Sequence, residues 1–204
     1  MVDRQLRRRG IRDPRVLAAM LEIPREEFVP LESRIEAYLD GPVAIGYGQT
    51  MSQPYMTALM AEVLELRGDE TVLEIGGGSG YAAAVLGALA ARVISVEIVE
   101  PLADRARANL MRTGRARNIT VISSDGSAGY AAEAPYDAIS VAAGAPAVPA
   151  SLVEQLRDPG ILAIPVGELS DQELRVIRKR EGQIETRVAT LCRFVPLRGI
   201  EGWR

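Results

Sequence analysis

The stretch Val72-Leu-Glu-Ile-Gly-Gly-Gly-Ser-Gly-Tyr81 limits the folds open to this chain more than any other. Val72, Leu73 and Ile75 form an apolar run of strand length, short enough to lie buried in a parallel sheet. Glycines follow at Gly76, Gly77, Gly78 and Gly80, and Ala82 to Ala91, rich in Ala and Leu, continues as a helix. Strand, glycine turn and helix open a nucleotide-binding βαβ unit. The glycines let the backbone pass close beneath a ligand, and the helix N-terminus behind them favours polar or negative groups.

Spacing narrows the ligand. A dinucleotide fingerprint needs Gly or Ala at the sixth position from Gly76, and Tyr81 stands there. What remains is an acid followed by G-x-G-x-G: Glu74, Gly76, Gly78 and Gly80. This looks like the first motif of class I methyltransferases that use S-adenosyl-L-methionine; a structural glycine turn in another α/β domain is the plain alternative. The next strand, Arg92-Val-Ile-Ser-Val-Glu97, ends in an acid about 20 residues beyond Gly76, where a carboxylate accepts hydrogen bonds from ribose hydroxyls. A third strand leads to Ser123-Ser124-Asp125-Gly126, where Asp125 is placed to accept from an adenine amino group, although Asp-Gly is also an ordinary turn. The fourth ends in Ala142-Ala-Gly-Ala-Pro146, without any ionisable group. Enzymes that methylate amino groups of nucleic-acid bases often resemble one another in an Asn/Asp-Pro-Pro-aromatic motif here, and this chain lacks it.

Composition sets outer limits. The 204 residues, 48% hydrophobic, suit one domain with a full core. A net charge of −3 argues against a phosphate-seeking surface, so no nucleic-acid partner is expected, and Arg7-Arg8-Arg9 reads as a solvated helix face. Cys192, the one cysteine, allows no intramolecular disulfide and points to a reducing compartment; it is expected to be a buried strand residue. No apolar run approaches the roughly 18 residues of a membrane span, so a cytoplasmic protein is expected, and a monomer. There is no histidine. Chemistry that needs a general base near neutral pH most often uses that residue.

Along the chain, residues 1–40 read as helical, with Asp13 capping a helix that begins at Pro14 and is stopped by Pro24. Residues 41–53 read as irregular, because Gly41, Pro42, Gly46 and Gly48 rule out a regular helix. Ser52 is expected as the N-cap of a helix from Pro54 to about Leu66. Strands are then expected near 71–75, 92–97, 118–122, 136–141 and 159–165, with helices near 80–90, 100–112 and 149–157. Two last strands, 174–180 and 184–193, turn at Glu181-Gly182 and form an antiparallel edge pair. The fold class is α/β: a doubly wound, Rossmann-like sheet, mostly parallel, with N-terminal helices. All of it reads as one domain: 1–53 the lid and substrate-side segment, 54–170 the cofactor-binding core, 171–204 the strand pair and tail.

Over essentially its whole length the chain is similar to the protein-L-isoaspartate O-methyltransferases. The resemblance is carried by Gln5-Leu6 with Arg9-Gly10-Ile11, by Pro24-Arg-Glu-Glu-Phe-Val-Pro30 and by Gly48-Gln-Thr-Met-Ser-Gln-Pro-Tyr55. It continues in Val72-Leu-Glu-Ile-Gly76, Gly78-Ser-Gly-Tyr81, Ala134-Pro-Tyr-Asp137, Ile164-Pro-Val-Gly167 and Arg193-Phe-Val-Pro-Leu197. The signature Thr-x-Ser-x-Pro is Thr50-Met-Ser-Gln-Pro54, which implies Ser52 as the active-site residue. The implied cofactor, S-adenosyl-L-methionine, would be held by Thr50, Gln53, Glu74, Gly76, Gly78, Glu97, Asp125 and Gly126. The resemblance also implies a lid role for the N-terminal helices and a contribution from the segment after Leu197. Tyr47, Gly77 and Ser124 depart from residues frequent in the family, where His, Thr and Gly are common.

The implied substrates are isoaspartyl-containing proteins and peptides, and the chemistry suits a chain without histidine. A carboxylate with a pKa of about 3.9 is already ionised at neutral pH and needs no base. Positioning in a water-poor site can then supply the catalysis. Three other readings stay open: a specialised relative that methylates ordinary aspartate in a modified peptide, a small-molecule methyltransferase, and a cofactor-binding regulatory module.

Overall fold

Apolar β-branched runs alternating with alanine-rich helical ones lead to a central sheet with helices packed on its faces. A computed structural model describes residues 1–203. Its main sheet contains β3 (Thr71–Ile75), β4 (Arg92–Glu97), β5 (Ile119–Ser123), β6 (Tyr136–Val141), β7 (Leu156–Gly167), β8 (Gln172–Arg180) and β9 (Gln183–Cys192). The strand order is β5-β4-β3-β6-β7-β8-β9. The first five strands of that order are parallel, while β7, β8 and β9 pair antiparallel. The chain runs outward from β3 to β5 and then returns to place β6 on the other side of β3. That reversal opens a crevice beyond the carboxyl ends of β3, β4 and β6.

Both faces of the parallel strands are covered. Val72, Val93 and Ala138 join one core cluster, with Tyr81, Val85 and Leu102 from the helices; Leu73, Ile75, Ile94 and Ile139 join a second cluster with Leu152. The helices are α1 (Pro14–Glu22), α2 (Pro54–Val63), α3 (Tyr81–Gly87), α4 (Glu100–Arg112) and α5 (Ala150–Gln155). Asp13 caps α1 as expected, its carboxylate accepting from the amides of Arg15 and Val16. The edge hairpin turns at Glu181 and Gly182, both at positive φ, the backbone a tight two-residue hairpin turn requires. Asp158 accepts from both turn amides, at 2.8 and 2.7 Å.

Three expectations need correction. Residues 41–53 are not irregular: β1 (Val43–Gly46) and β2 (Gln49–Met51) form an antiparallel hairpin, with a register shift between Ala44 and Gly46. Tyr47 takes positive φ in its turn. Ser52 is not the cap of α2. Pro54, with its fixed φ, occupies the first helical position, so Gln53 is the N-cap, and its carbonyl accepts from Thr57. Cys192 lies in β9 but is only half-buried, because β9 is the edge strand; burial nonetheless raises its thiol pKa to about 11.

Candidate active site

The crevice is floored by the glycine turn. Gly76 donates to the Val96 carbonyl at 2.8 Å, and Ala142 donates to the Ile75 carbonyl at 2.8 Å, so both sides of the turn are anchored to neighbouring strands. Gly76 and Gly78 adopt φ of +83° and +54°, which places their backbone in the left-handed region. A cleft opens above them, its walls leaving about 50 Å³ free for water-sized groups. Gly76, Gly78, Val96, Glu97, Ile98 and Gly126 line one side, and Gln49, Thr50 and Val195 to Arg198 help to close it. A roomier groove lies at the opposite ends of the strands, beside Glu65, Asp137 and Arg178, away from the glycine turn.

Glu97 is the carboxylate that faces the cleft. One oxygen accepts from Gly78 N and the other from Val99 N, both at 2.8 Å. Each oxygen keeps a lone pair for another donor. Gly126 forms part of the wall because nothing larger fits: a Cβ there would lie 3.0 Å from Ile75 and 3.1 Å from Val96 side-chain carbons.

Ser52 lines a second, smaller cavity with Thr57, Gly77, Ser79 and Tyr81. The two spaces share Thr50, Gly76, Gly78 and Ala142, so they meet across the glycine turn. Ser52 stands one residue before the cap of α2, a ten-residue helix with its N-terminus toward that cavity's wall.

Three expected cofactor residues do not reach the cleft wall. Gln53 turns its amide to Asp40, donating to the carboxylate at 2.6 Å. Glu74 is buried within β3, where one oxygen accepts from the Ser95 hydroxyl and the other has no partner. Burial raises the Glu74 pKa to about 8, the Ser95 bond opposes this, and the charge of Glu97 adds to it. Asp125 gives its two oxygens to the amides of Ser127 and Ile200, both at 2.8 Å. Burial pushes its pKa up, but those amides outweigh it and hold the carboxyl below its ordinary value. Thr50, Gly76, Gly78, Glu97 and Gly126 are brought together at the cleft.

Ile98, Ala142 and Val195 to Leu197 line the cleft without having been singled out as cofactor residues. Ile98 had a signal, an apolar residue directly after a strand-end acid, and it is 44% exposed in the fold. The tail residues had a weaker one, the apolar run Phe194 to Leu197 after the last strand. It crosses the sheet end, where Gly144 donates to Val195 and Leu197 donates back to Gly144, each at 2.8 Å.

Comparison with known proteins bears directly on this arrangement. The family model for protein-L-isoaspartate(D-aspartate) O-methyltransferase matches residues 1–202. Protein-L-isoaspartate O-methyltransferase of Methanoculleus marisnigri is 53% identical over all of this chain and 92% of its own length. The protein of the same name from Rhodopseudomonas palustris is also 53% identical, over all of this chain and 94% of its own. A solved Plasmodium falciparum structure, described as a protein-L-isoaspartate O-methyltransferase in complex with S-adenosyl-L-homocysteine, superposes with a TM-score of 0.79 at 30% identity, covering 94% of each chain. Glycine turn, strand-end acid and serine segment thus occur within a match that runs from end to end, and the chain belongs to the protein-L-isoaspartate(D-aspartate) O-methyltransferase family.

Proposed function

We propose that this single-domain protein methylates the α-carboxylate of L-isoaspartyl residues in damaged proteins and peptides, with S-adenosyl-L-methionine as donor. Family membership supports the reaction, and one structural observation carries the assignment of its parts. The Ser52 cavity and the glycine-floored cleft share the wall of Thr50, Gly76, Gly78 and Ala142, so donor and acceptor have adjoining places.

The residues of the cleft fit the donor. Glu97 has lone pairs free for ribose hydroxyls, Gly76 and Gly78 allow close backbone approach, and Gly126 packs its bare backbone against Ile75 and Val96, so no side chain projects there. Thr50 closes the cleft from β2. Gln53, Glu74 and Asp125 enter as supports from behind: Gln53 ties the Ser52 segment to Asp40, Glu74 sits beneath the turn, and Asp125 holds the tail. The bound cofactor supplies an electrophilic methyl group on a sulfonium.

Ser52 is the proposed catalytic residue. Its hydroxyl donates to one oxygen of the acceptor carboxylate, leaving the other directed at the methyl group. The acceptor arrives ionised, so no residue has to remove a proton, and the departing sulfur is neutral, so none has to give one. That is why a chain without histidine can serve. The methyl ester is a better electrophile than the carboxylate; attack by the next backbone nitrogen expels methanol and closes a succinimide, which initiates repair.

No helix among the described residues is long and apolar enough to cross a membrane. We place the enzyme in the cytoplasm as a monomer, the lone half-buried thiol of Cys192 being consistent with a reducing compartment. The deciding experiment incubates the protein with methyl-labelled cofactor and two synthetic peptides, one isoaspartyl and one aspartyl. Label in the isoaspartyl peptide alone is expected. Label in the aspartyl peptide would point to a specialised relative, and label in neither would overturn the enzymatic assignment.

A further inference from the structure

Arg25 is the largest side chain wholly withdrawn from solvent, at 0% exposure. Arginine is almost never fully buried unless a carboxylate pairs with it. Here its Nε donates to the Ala37 carbonyl at 2.8 Å and one terminal nitrogen donates to the Ser52 carbonyl at 2.9 Å. The other terminal nitrogen has no hydrogen-bond partner. The guanidinium carbon lies 4.5 Å from the centroid of the Tyr81 ring. Among the described residues it thus meets two carbonyls and an aromatic face, and no carboxylate. Glu26, the adjacent acid in sequence, is engaged by the Tyr38 hydroxyl. Burial lowers the Arg25 pKa, yet a guanidinium remains a cation at neutral pH.

Ser52 and Tyr81, the two residues this cation touches on its inner side, both line the proposed acceptor cavity. The charge therefore lies directly behind the wall that a substrate would face. A buried cation without a counter-ion is costly in the free protein, and an anion docking on the other side of that wall relieves the cost. We infer that Arg25 is a positioning residue for the acceptor: it fixes the Ser52 main chain through the carbonyl and supplies the positive charge that draws a carboxylate to the Ser52 wall. This rests on the carboxylate-acceptor assignment made above.

The test measures peptide binding by calorimetry at pH 7 on protein saturated with S-adenosyl-L-homocysteine. One peptide carries an isoaspartyl residue with a free α-carboxylate; the other carries the α-carboxamide in its place. Wild type is expected to prefer the charged peptide by roughly tenfold or more. Arg25→Gln should reduce that preference to about threefold or less, and so should Arg25→Met, which fills a similar volume without a charge. Affinity for S-adenosyl-L-homocysteine should change by no more than about twofold in either folded variant, because Arg25 does not line the cleft. A folded Arg25→Gln protein with the wild-type preference overturns the inference. Should Arg25→Gln not fold, Arg25→Met decides, and the wild-type preference in that folded variant overturns it equally. Wild type that methylates the isoaspartyl peptide yet binds both peptides alike sinks the role of Arg25 alone. Wild type that methylates no isoaspartyl peptide sinks the acceptor assignment first.

Discussion

Glu74→Gln should remove a pH dependence of stability that can be worked out from burial. In the protein free of cofactor, Glu74 is 1% exposed, accepts a single hydrogen bond and leaves one oxygen unpartnered. Its pKa rises to about 8 from the ordinary 4.5, chiefly because burial disfavours the charged form. The unfolded chain therefore releases this proton near pH 4.5, while the folded chain keeps it until about pH 8. Between those values the folded state binds more protons, so stability falls as pH rises, by about 1.4 kcal/mol per unit. From pH 6 to pH 8 the wild type should lose roughly 2–3 kcal/mol that this one carboxyl controls. The glutamine side chain has nearly the same shape and no charge to lose. Urea unfolding of both proteins at pH 6, 7 and 8 measures the difference, with every other titrating group common to the pair. Wild-type stability minus variant stability should fall by about 2 kcal/mol over that range. Two stability curves that run parallel, within about 0.5 kcal/mol, would show that Glu74 titrates normally and that β3 is not the dry environment described.

Other substitutions probe the remaining parts. Ser52→Ala should lower turnover about ten- to a hundredfold with little change in cofactor affinity, read by methyl transfer and by calorimetry with S-adenosyl-L-homocysteine; lost cofactor binding would reassign the residue. Gly126→Ala, whose new Cβ would crowd Ile75 and Val96, should weaken S-adenosyl-L-homocysteine binding about tenfold and destabilise by roughly 1–3 kcal/mol in urea unfolding. Glu97→Gln puts an amide donor against the amide of Gly78 or Val99, so the same calorimetry should show affinity reduced by about tenfold or more. Asp125→Ala frees the amide of Ile200, and limited trypsin digestion should cut faster at exposed Arg198, with unchanged cleavage counting against the tail contact.

The sheet was legible because its strands are short apolar runs bounded by turn residues, and the strand-end positions of Glu97 and Gly126 follow from the alternation of strand and helix. The hairpin at 43–51 was not. Its strands are four and three residues long, interrupted by a register shift, and no periodicity survives at that length. Ser52 was singled out through the signature segment, but its place relative to α2 was missed because Pro54 takes the first helical position. Gln53 and Asp125 turn to partners that the sequence does not reveal. Their partners, Asp40 and Ile200, lie 13 and 75 residues away, and side-chain direction over such separations is set by packing. Arg25 opens the charged run Arg25-Glu26-Glu27, and nothing local distinguishes a buried arginine from a solvated one.

These placements sort charge across the wall shared by the two cavities. Glu97 belongs to strand β4 beneath the cleft, and Arg25 lies behind the Ser52 side. A cationic donor suits the first side and an anionic acceptor suits the second. Methyl transfer between them cancels both charges, and a reaction that consumes opposite charges gains from surroundings that solvate ions poorly. Water would stabilise the separated reactants and raise the barrier. The tail residues Val195 to Leu197 and the hairpin residues Gln49 and Thr50 therefore contribute to rate by closing the cleft, although none of them carries an ionisable group.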